Sequence, residues 1–212
     1  MSAEPNGFGS GTPWLLLVGG APASGKTLLA RQLAARYGAL LCTKDQIKEV
    51  LFDTLGTGED AASLTAASST AAPRPLSAPA ARWSRRLSDA SFALLFGLAP
   101  ALLHARRPVL LEGNFRPGEH EAALAALLCA SRARLIQILC HASTATRAAR
   151  LAARAGDPTR HPAHQDAHID VHRAAPSFLA LPGLRLSYDS DLAPSRALEQ
   201  LYGELDGRLC AL

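Results

Sequence analysis

Eight consecutive residues, Gly20-Ala21-Pro22-Ala23-Ser24-Gly25-Lys26-Thr27, fill every fixed position of the pattern GxxxxGK[ST]. That spacing has a definite chemistry. Glycines let the backbone close around phosphate oxygens, and successive N–H groups with a helix N-terminus behind them supply partial positive charge. The lysine ammonium reaches the terminal phosphates, and the threonine hydroxyl can ligate magnesium. The ligand such a loop asks for is a nucleoside triphosphate with its metal. Lysine is rare here, since Lys26, Lys44 and Lys48 are the only lysines among 22 basic residues. A lysine at this point in a glycine loop is therefore hard to read as background.

A phosphate loop alone does not say what becomes of the phosphate, so the other polar clusters must decide. Thr43-Lys44-Asp45 follows a short apolar run and puts a carboxylate where it could take the proton from a substrate hydroxyl as that oxygen attacks the γ-phosphorus. The plainer role for Asp45 is to complement a helix dipole behind a Thr43 cap. Glu112, Asn114 and Arg116 form a second cluster after another apolar run. Glu112 stands where many ATPases and GTPases carry an aspartate that holds water on magnesium, and it could equally bind a substrate hydroxyl. Asn114 shares that substrate-facing loop, and Arg116 could hold a substrate anion. A solvated strand-end cluster is the competing reading. No NKxD sequence for guanine recognition occurs anywhere in the chain, which argues against a GTPase switch.

Arg147, Arg150 and Arg154 recur at i, i+3 and i+7, and Arg160 follows. Planar guanidinium groups suit phosphate oxygens, and Arg154 and Arg160 read as clamps on the transferring group. Arg147 reads as part of a solvated helix face. His161, His164, His168 and His172, with Asp166 and Asp170 among them, invite a metal reading. It is the weaker one, because no cysteine is near and Pro158 and Pro162 interrupt any helix that would align the rings.

These groups need a scaffold. Short apolar runs at Trp14–Val18, Ala39–Cys42, Pro108–Glu112, Arg134–Cys140 and Leu184–Tyr188 read as strands. Helical patterns lie between them: from Lys26, from Thr43 to Leu55 with capping-box spacing to Gln46, from Arg82 to about His104, from Glu119 to Ala130, from Ser143 to Ala155, and finally to about Cys210. Strands alternating with helices predict an α/β fold in which a parallel sheet carries helices on both faces. Ligands of such sheets bind beyond the carboxyl ends of the strands. The whole chain, 1–212, reads as a single domain with a disordered lead at 1–13, a flexible Ala-, Ser-, Thr-, Gly- and Pro-rich insertion at 56–80, and a polar lid at 156–175.

Composition narrows the partners. The net charge of +4 and pI of 9.1 permit anionic ligands, but the basic residues are dispersed with no lysine-rich tail, so nucleic acid is disfavoured against small phosphorylated molecules. Cys42, Cys129, Cys140 and Cys210 lack CxxC spacing and read as reduced thiols. The N-terminus lacks the pattern of a signal peptide. The longest apolar stretch, Phe92–Leu103, is broken by Gly97 and Pro100 and is too short for a bilayer, which needs about 20 residues. It reads as a buried helix in a cytoplasmic protein that does not engage membranes. The oligomeric state is open.

Taken together, Gly19 to Thr27, Thr43-Lys44-Asp45-Gln46-Ile47-Lys48-Glu49 and Leu110-Leu111-Glu112-Gly113-Asn114-Phe115-Arg116 resemble the zeta toxin and chloramphenicol phosphotransferase group of P-loop kinases, bacterial ATP-binding proteins often grouped as AAA proteins. The resemblance covers most of the chain. It implies a P-loop NTPase fold whose five-stranded parallel sheet has the order 2-3-1-4-5, Asp45 as the base, and a lid of arginines around Arg154. It also implies an ATP- and Mg2+-dependent kinase acting on a small-molecule hydroxyl, on an antibiotic, a sugar or a nucleotide sugar. A polynucleotide 5′-hydroxyl kinase, suggested by Arg82, Arg85 and Arg86, and a non-catalytic ATP-binding switch are the alternatives.

Overall fold

A computed structural model describes residues 12–56, 78–105, 107–164, 169–172 and 176–210. Most of the expected lead and insertion, and parts of the expected lid, lie outside these residues. The central strand β1, Trp14–Gly20, is buried almost throughout, as its unbroken apolar run requires of a strand covered on both faces. It pairs in parallel with β3 (Val109–Glu112) on one side and β4 (Arg134–His141) on the other. Strand β2 (Leu40–Thr43) lies outside β3, and β5 (Leu184–Asp189) outside β4. The sheet is five-stranded and parallel, in the order β2-β3-β1-β4-β5.

The pleat sends alternate β1 residues to opposite faces. Leu16 and Val18 pack on α1 (Lys26–Tyr37) and α6 (Pro194–Cys210) through Leu29, Leu33, Leu201 and Leu205. Leu15 and Leu17 pack on α3 (Ala78–Leu103) and α4 (Glu121–Ser131) through Phe92, Leu95, Leu124 and Leu127. Two further helices, α2 (Lys44–Leu55) and α5 (Thr144–Ala155), leave the carboxyl ends of β2 and β4. The Thr43 hydroxyl accepts from the Gln46 N–H at 3.3 Å, the N-cap half of the expected capping box, and donates to Gln46 Oε1 at 3.0 Å.

Two expectations change. Helix α3 begins at Ala78, inside the stretch read as insertion, and Ala80 is buried; alanine is the strongest helix former, and here the alanines extend the helix onto a packed surface. The Phe92–Leu103 stretch is not buried all round. Only the stripe with Phe92, Leu95, Ala99 and Leu103 meets the sheet, while Leu94 and Leu98 are exposed. At 26 residues α3 is the one described helix long and apolar enough, by length and composition, to cross a membrane, with a third of its apolar window buried inside the fold.

Candidate active site

The register brings the carboxyl ends of all five strands to one edge: Gly20 beside Cys140, Thr43 and Val18 beside Glu112, and His141 beside Asp189. The phosphate loop turns over this edge. Gly20 has φ +143°, and a Cβ there would lie 2.5 Å from the Cys140 carbonyl oxygen and 2.7 Å from Ser24 Oγ, so only glycine fits. Ala23 adopts the left-handed conformation at φ 61°, which costs a residue bearing a Cβ about 1–2 kcal/mol.

Within the loop, Lys26 Nζ donates to the Ala21 carbonyl at 2.8 Å. Burial pushes its pKa down, and Arg154 pushes the same way, while Glu112, Cys140 and Asp45 oppose. These interactions place Lys26, Asp45, Glu112 and Arg154 in one electrostatic neighbourhood. Thr27 Oγ1 donates to Glu112 Oε2 at 3.4 Å. Burial also raises the Glu112 pKa, against the lowering pull of Lys26. Asp45 behaves oppositely. Burial pushes its carboxyl up, but Lys44, His164 and Lys26 together outweigh it and hold the group below the ordinary carboxylate value. Lys44 Nζ lies 3.4 Å from Asp45 Oδ1.

The structure tests whether this loop suits a triphosphate and its metal. The Ser24 hydroxyl is buried with no hydrogen-bond partner, the Lys26 ammonium is desolvated, and the loop from Gly20 through Gly25 holds left-handed turns at Ala23 and Gly25. Phosphate oxygens would satisfy these donors. Thr27 with Glu112 behind it makes an oxygen donor set of the kind that hard Mg2+ takes. The residues fit.

Other expected site residues fall in different places. Asn114 is half-buried on the loop after β3, which closes over Phe115, and the Phe115 ring packs against Phe92 and Phe96. Arg116 turns away to the surface, paired to both Glu119 carboxylate oxygens at 3.2 and 2.9 Å; to meet a substrate anion it would have to leave that partner. Arg154 is half-buried on α5, and Arg160 is half-buried in the turn after it, its N–H donating to the Asp157 carbonyl. Arg147 is not solvated. It is buried and donates to the Val171 carbonyl, because the 169–172 segment folds back over the first turn of α5.

Three participants were not assigned to this site by sequence reasoning, which read His164 only in a weak metal cluster and Arg150 only as one of a series. Arg150 Nη1 donates to the Ala23 carbonyl at 3.1 Å and to Ser190 Oγ at 2.9 Å, and Nη2 donates to the Ser190 carbonyl at 3.0 Å, tying α5 and the end of β5 to the strained point of the loop. His164 and Glu49 pair at 2.5 Å beside Asp45. The signals were present: Arg150 is the middle of the arginine series, and Asp45, Glu49 and Asp53 recur every four residues along α2.

Comparison with known proteins agrees with this architecture. The AAA domain family model matches residues 15–176. The chain belongs to the AAA domain family. Among solved structures it is similar to a candidate kinase from Chloroflexus aurantiacus j-10-fl, at 28% identity and TM-score 0.72, over 91% of this chain and 98% of that one. It also resembles a sugar kinase from Janibacter sp. HTCC2649 at 16% identity and TM-score 0.52, covering 92% of this chain and 95% of that one, a likeness of fold. None of the curated proteins compared with the chain matches it.

Proposed function

We propose that the protein is an ATP- and Mg2+-dependent kinase of the cytoplasm that transfers the γ-phosphate of ATP to a hydroxyl of a small molecule of antibiotic, sugar or nucleotide-sugar type. The observation that carries the reading is the place of Asp45, in the first turn of α2 directly after β2, at the sheet edge that bears the phosphate loop and beside Glu112 at the end of β3. The finer kinship, to the zeta toxin and chloramphenicol phosphotransferase group, is supported by Thr43-Lys44-Asp45 and Glu112-Gly113-Asn114 standing at neighbouring strand ends.

In this reading the loop amides, Lys26 and Ser24 hold the phosphates, and Thr27 with Glu112 would hold Mg2+, Glu112 through water. Bound there, the metal neutralises charge on the phosphate oxygens. Asp45 accepts the proton of the acceptor hydroxyl as its oxygen bonds to the γ-phosphorus and the bond to the β-phosphate oxygen breaks, so ADP leaves. Arg154 and Arg160 stabilise the charge that spreads over the transferring group. Glu112 and Asn114 face the acceptor.

The test is incubation of the purified chain with ATP, Mg2+ and pooled hydroxyl metabolites and antibiotics, followed by mass spectrometry. One species heavier by a phosphate, formed together with ADP, is expected. Phosphorylation of oligonucleotide 5′-hydroxyls with steep salt dependence would instead make the acceptor nucleic acid. Tight ATP binding with no transfer to any acceptor would make the protein a switch.

A further inference from the structure

The segment 161–164 docks on α2 through a row of contacts along one stripe of that helix, with one further contact to Leu87 of α3. His161 Nε2 lies 3.0 Å from Asp53 Oδ1, and the His161 ring meets Phe52 edge-on with centroids 5.6 Å apart. Ala163 is buried against Phe52 and Leu87. His164 completes the row, its Nε2 2.5 Å from Glu49 Oε1 and its Nδ1 4.0 Å from Asp45 Oδ2, with its side chain only 7% exposed. The residues Asp45, Glu49 and Asp53 are spaced by four, so all three carboxylates share the face that receives the two rings.

We propose that His164 is a positioning residue of the transfer site: by binding Glu49 with one ring nitrogen and facing Asp45 with the other, it couples docking of the 161–164 segment to the orientation of the base. The inference rests on the kinase reading for its consequence and on the contacts above for its substance. Glu49 anchors the ring through Nε2, so Nδ1 stays turned toward Asp45 for as long as the segment is docked. Lys44 and Lys26 also act on Asp45, Lys48 is buried on α2, and the titratable ring of His161 lies with its centroid 6.2 Å from that of His164. Segment and base then form one unit. A chain whose segment has lifted loses the ring that faces Asp45, so a nucleotide-bound but undocked protein holds its base less well oriented and transfers phosphate poorly.

The experiment follows the Asp45 carboxyl by carbon-detected NMR titration in the full chain, with the signal assigned by its loss in Asp45→Asn. His164→Gln keeps a donor for Glu49 and removes the ring from Asp45; Glu49→Asp keeps the ring and shortens its anchor. His164 is among the groups that hold the Asp45 carboxyl down, so both should move the Asp45 midpoint upward, by about half a unit or more, the low end of what a near neighbour does beside a half-exposed carboxylate. MgAMPPNP affinity of the same samples should stay within about twofold, and kcat of both variants should fall with KM for ATP unchanged. An Asp45 midpoint unmoved in both variants overturns the inference, and a shift in His164→Gln alone overturns the coupling through Glu49. Failure of the wild-type chain to bind MgAMPPNP would instead overturn the nucleotide reading, while the titration still decides the His164 contact.

Discussion

Replacing Arg150 by alanine removes the side-chain hydrogen bond to the Ala23 carbonyl at the strained corner of the phosphate loop. Three hydrogen bonds disappear, one to the Ala23 carbonyl and two to Ser190. A bond from a charged donor is worth about 1.5–3 kcal/mol when buried; Arg150 is half-buried, so about 1 kcal/mol each is the proper scale, giving roughly 2–3 kcal/mol in all. Ala23, at φ 61°, then loses the contact that offsets its left-handed conformation, and the loop relaxes toward commoner geometry. For a chain of this length each kcal/mol moves Tm by about 2–4 °C, so Arg150→Ala should melt roughly 5–10 °C below wild type. Re-forming the loop on binding should cost about 1.4 kcal/mol, a roughly tenfold rise in Kd for MgAMPPNP. Arg150→Lys, which can reach one acceptor but not fork to two residues, should fall between. Thermal melts and calorimetric titration of the two variants measure both effects. Wild-type Tm and wild-type affinity in Arg150→Ala would refute the reasoning.

Arg154→Ala and Arg160→Ala should lower kcat more than they raise KM for ATP, the pattern of an interaction made chiefly in the transition state, whereas Arg147→Ala, which loses the buried bond to Val171, should lower Tm with little change in kcat. Glu112→Gln should raise Tm at pH 7 while lowering activity: burial raises its pKa, so the charged form destabilises the fold above that pKa, and the amide escapes this cost as pH rises; melts from pH 4 to 8 should show the two chains converging at the acid end. Cys129, exposed, should be alkylated first, whereas Cys140, buried with its thiol pushed up to about 12, should resist until the chain unfolds, which peptide mass spectrometry resolves.

What could be read from the residues divides by range. All five strands appear within two residues of where apolar runs put them, because a strand covered on both faces announces itself locally, as β1 and β4 do. Thr43 with Gln46 and Gly20 through Thr27 were legible for the same reason: cap and loop chemistry lie in consecutive residues. The strand order came from the family resemblance and not from any periodicity. Arg147 was misread because its burial depends on Val171, 24 residues further on, folding back across α5. Arg150 was not separated from its neighbours since the 3.6-residue period says three arginines share a stripe, but not which one faces the loop once α5 has packed. His164 pairs with a carboxylate 115 positions earlier, a contact that no local pattern encodes. The α2 stripe of Asp45, Glu49 and Asp53 held half of that information.

Whether Asp45 carries the chemistry is tested most directly by the rate of γ-phosphoryl transfer in Asp45→Asn at saturating ATP, with the acceptor identified in the pooled incubation. Asparagine keeps the shape of the side chain and its place at the start of α2 but cannot take a proton. The rate should fall about 10²- to 10⁴-fold, the usual loss when a general base is removed. Transfer by Asp45→Asn at the wild-type rate would contradict the account, leaving Asp45 a helix-terminal residue and moving the search for the base to Glu112.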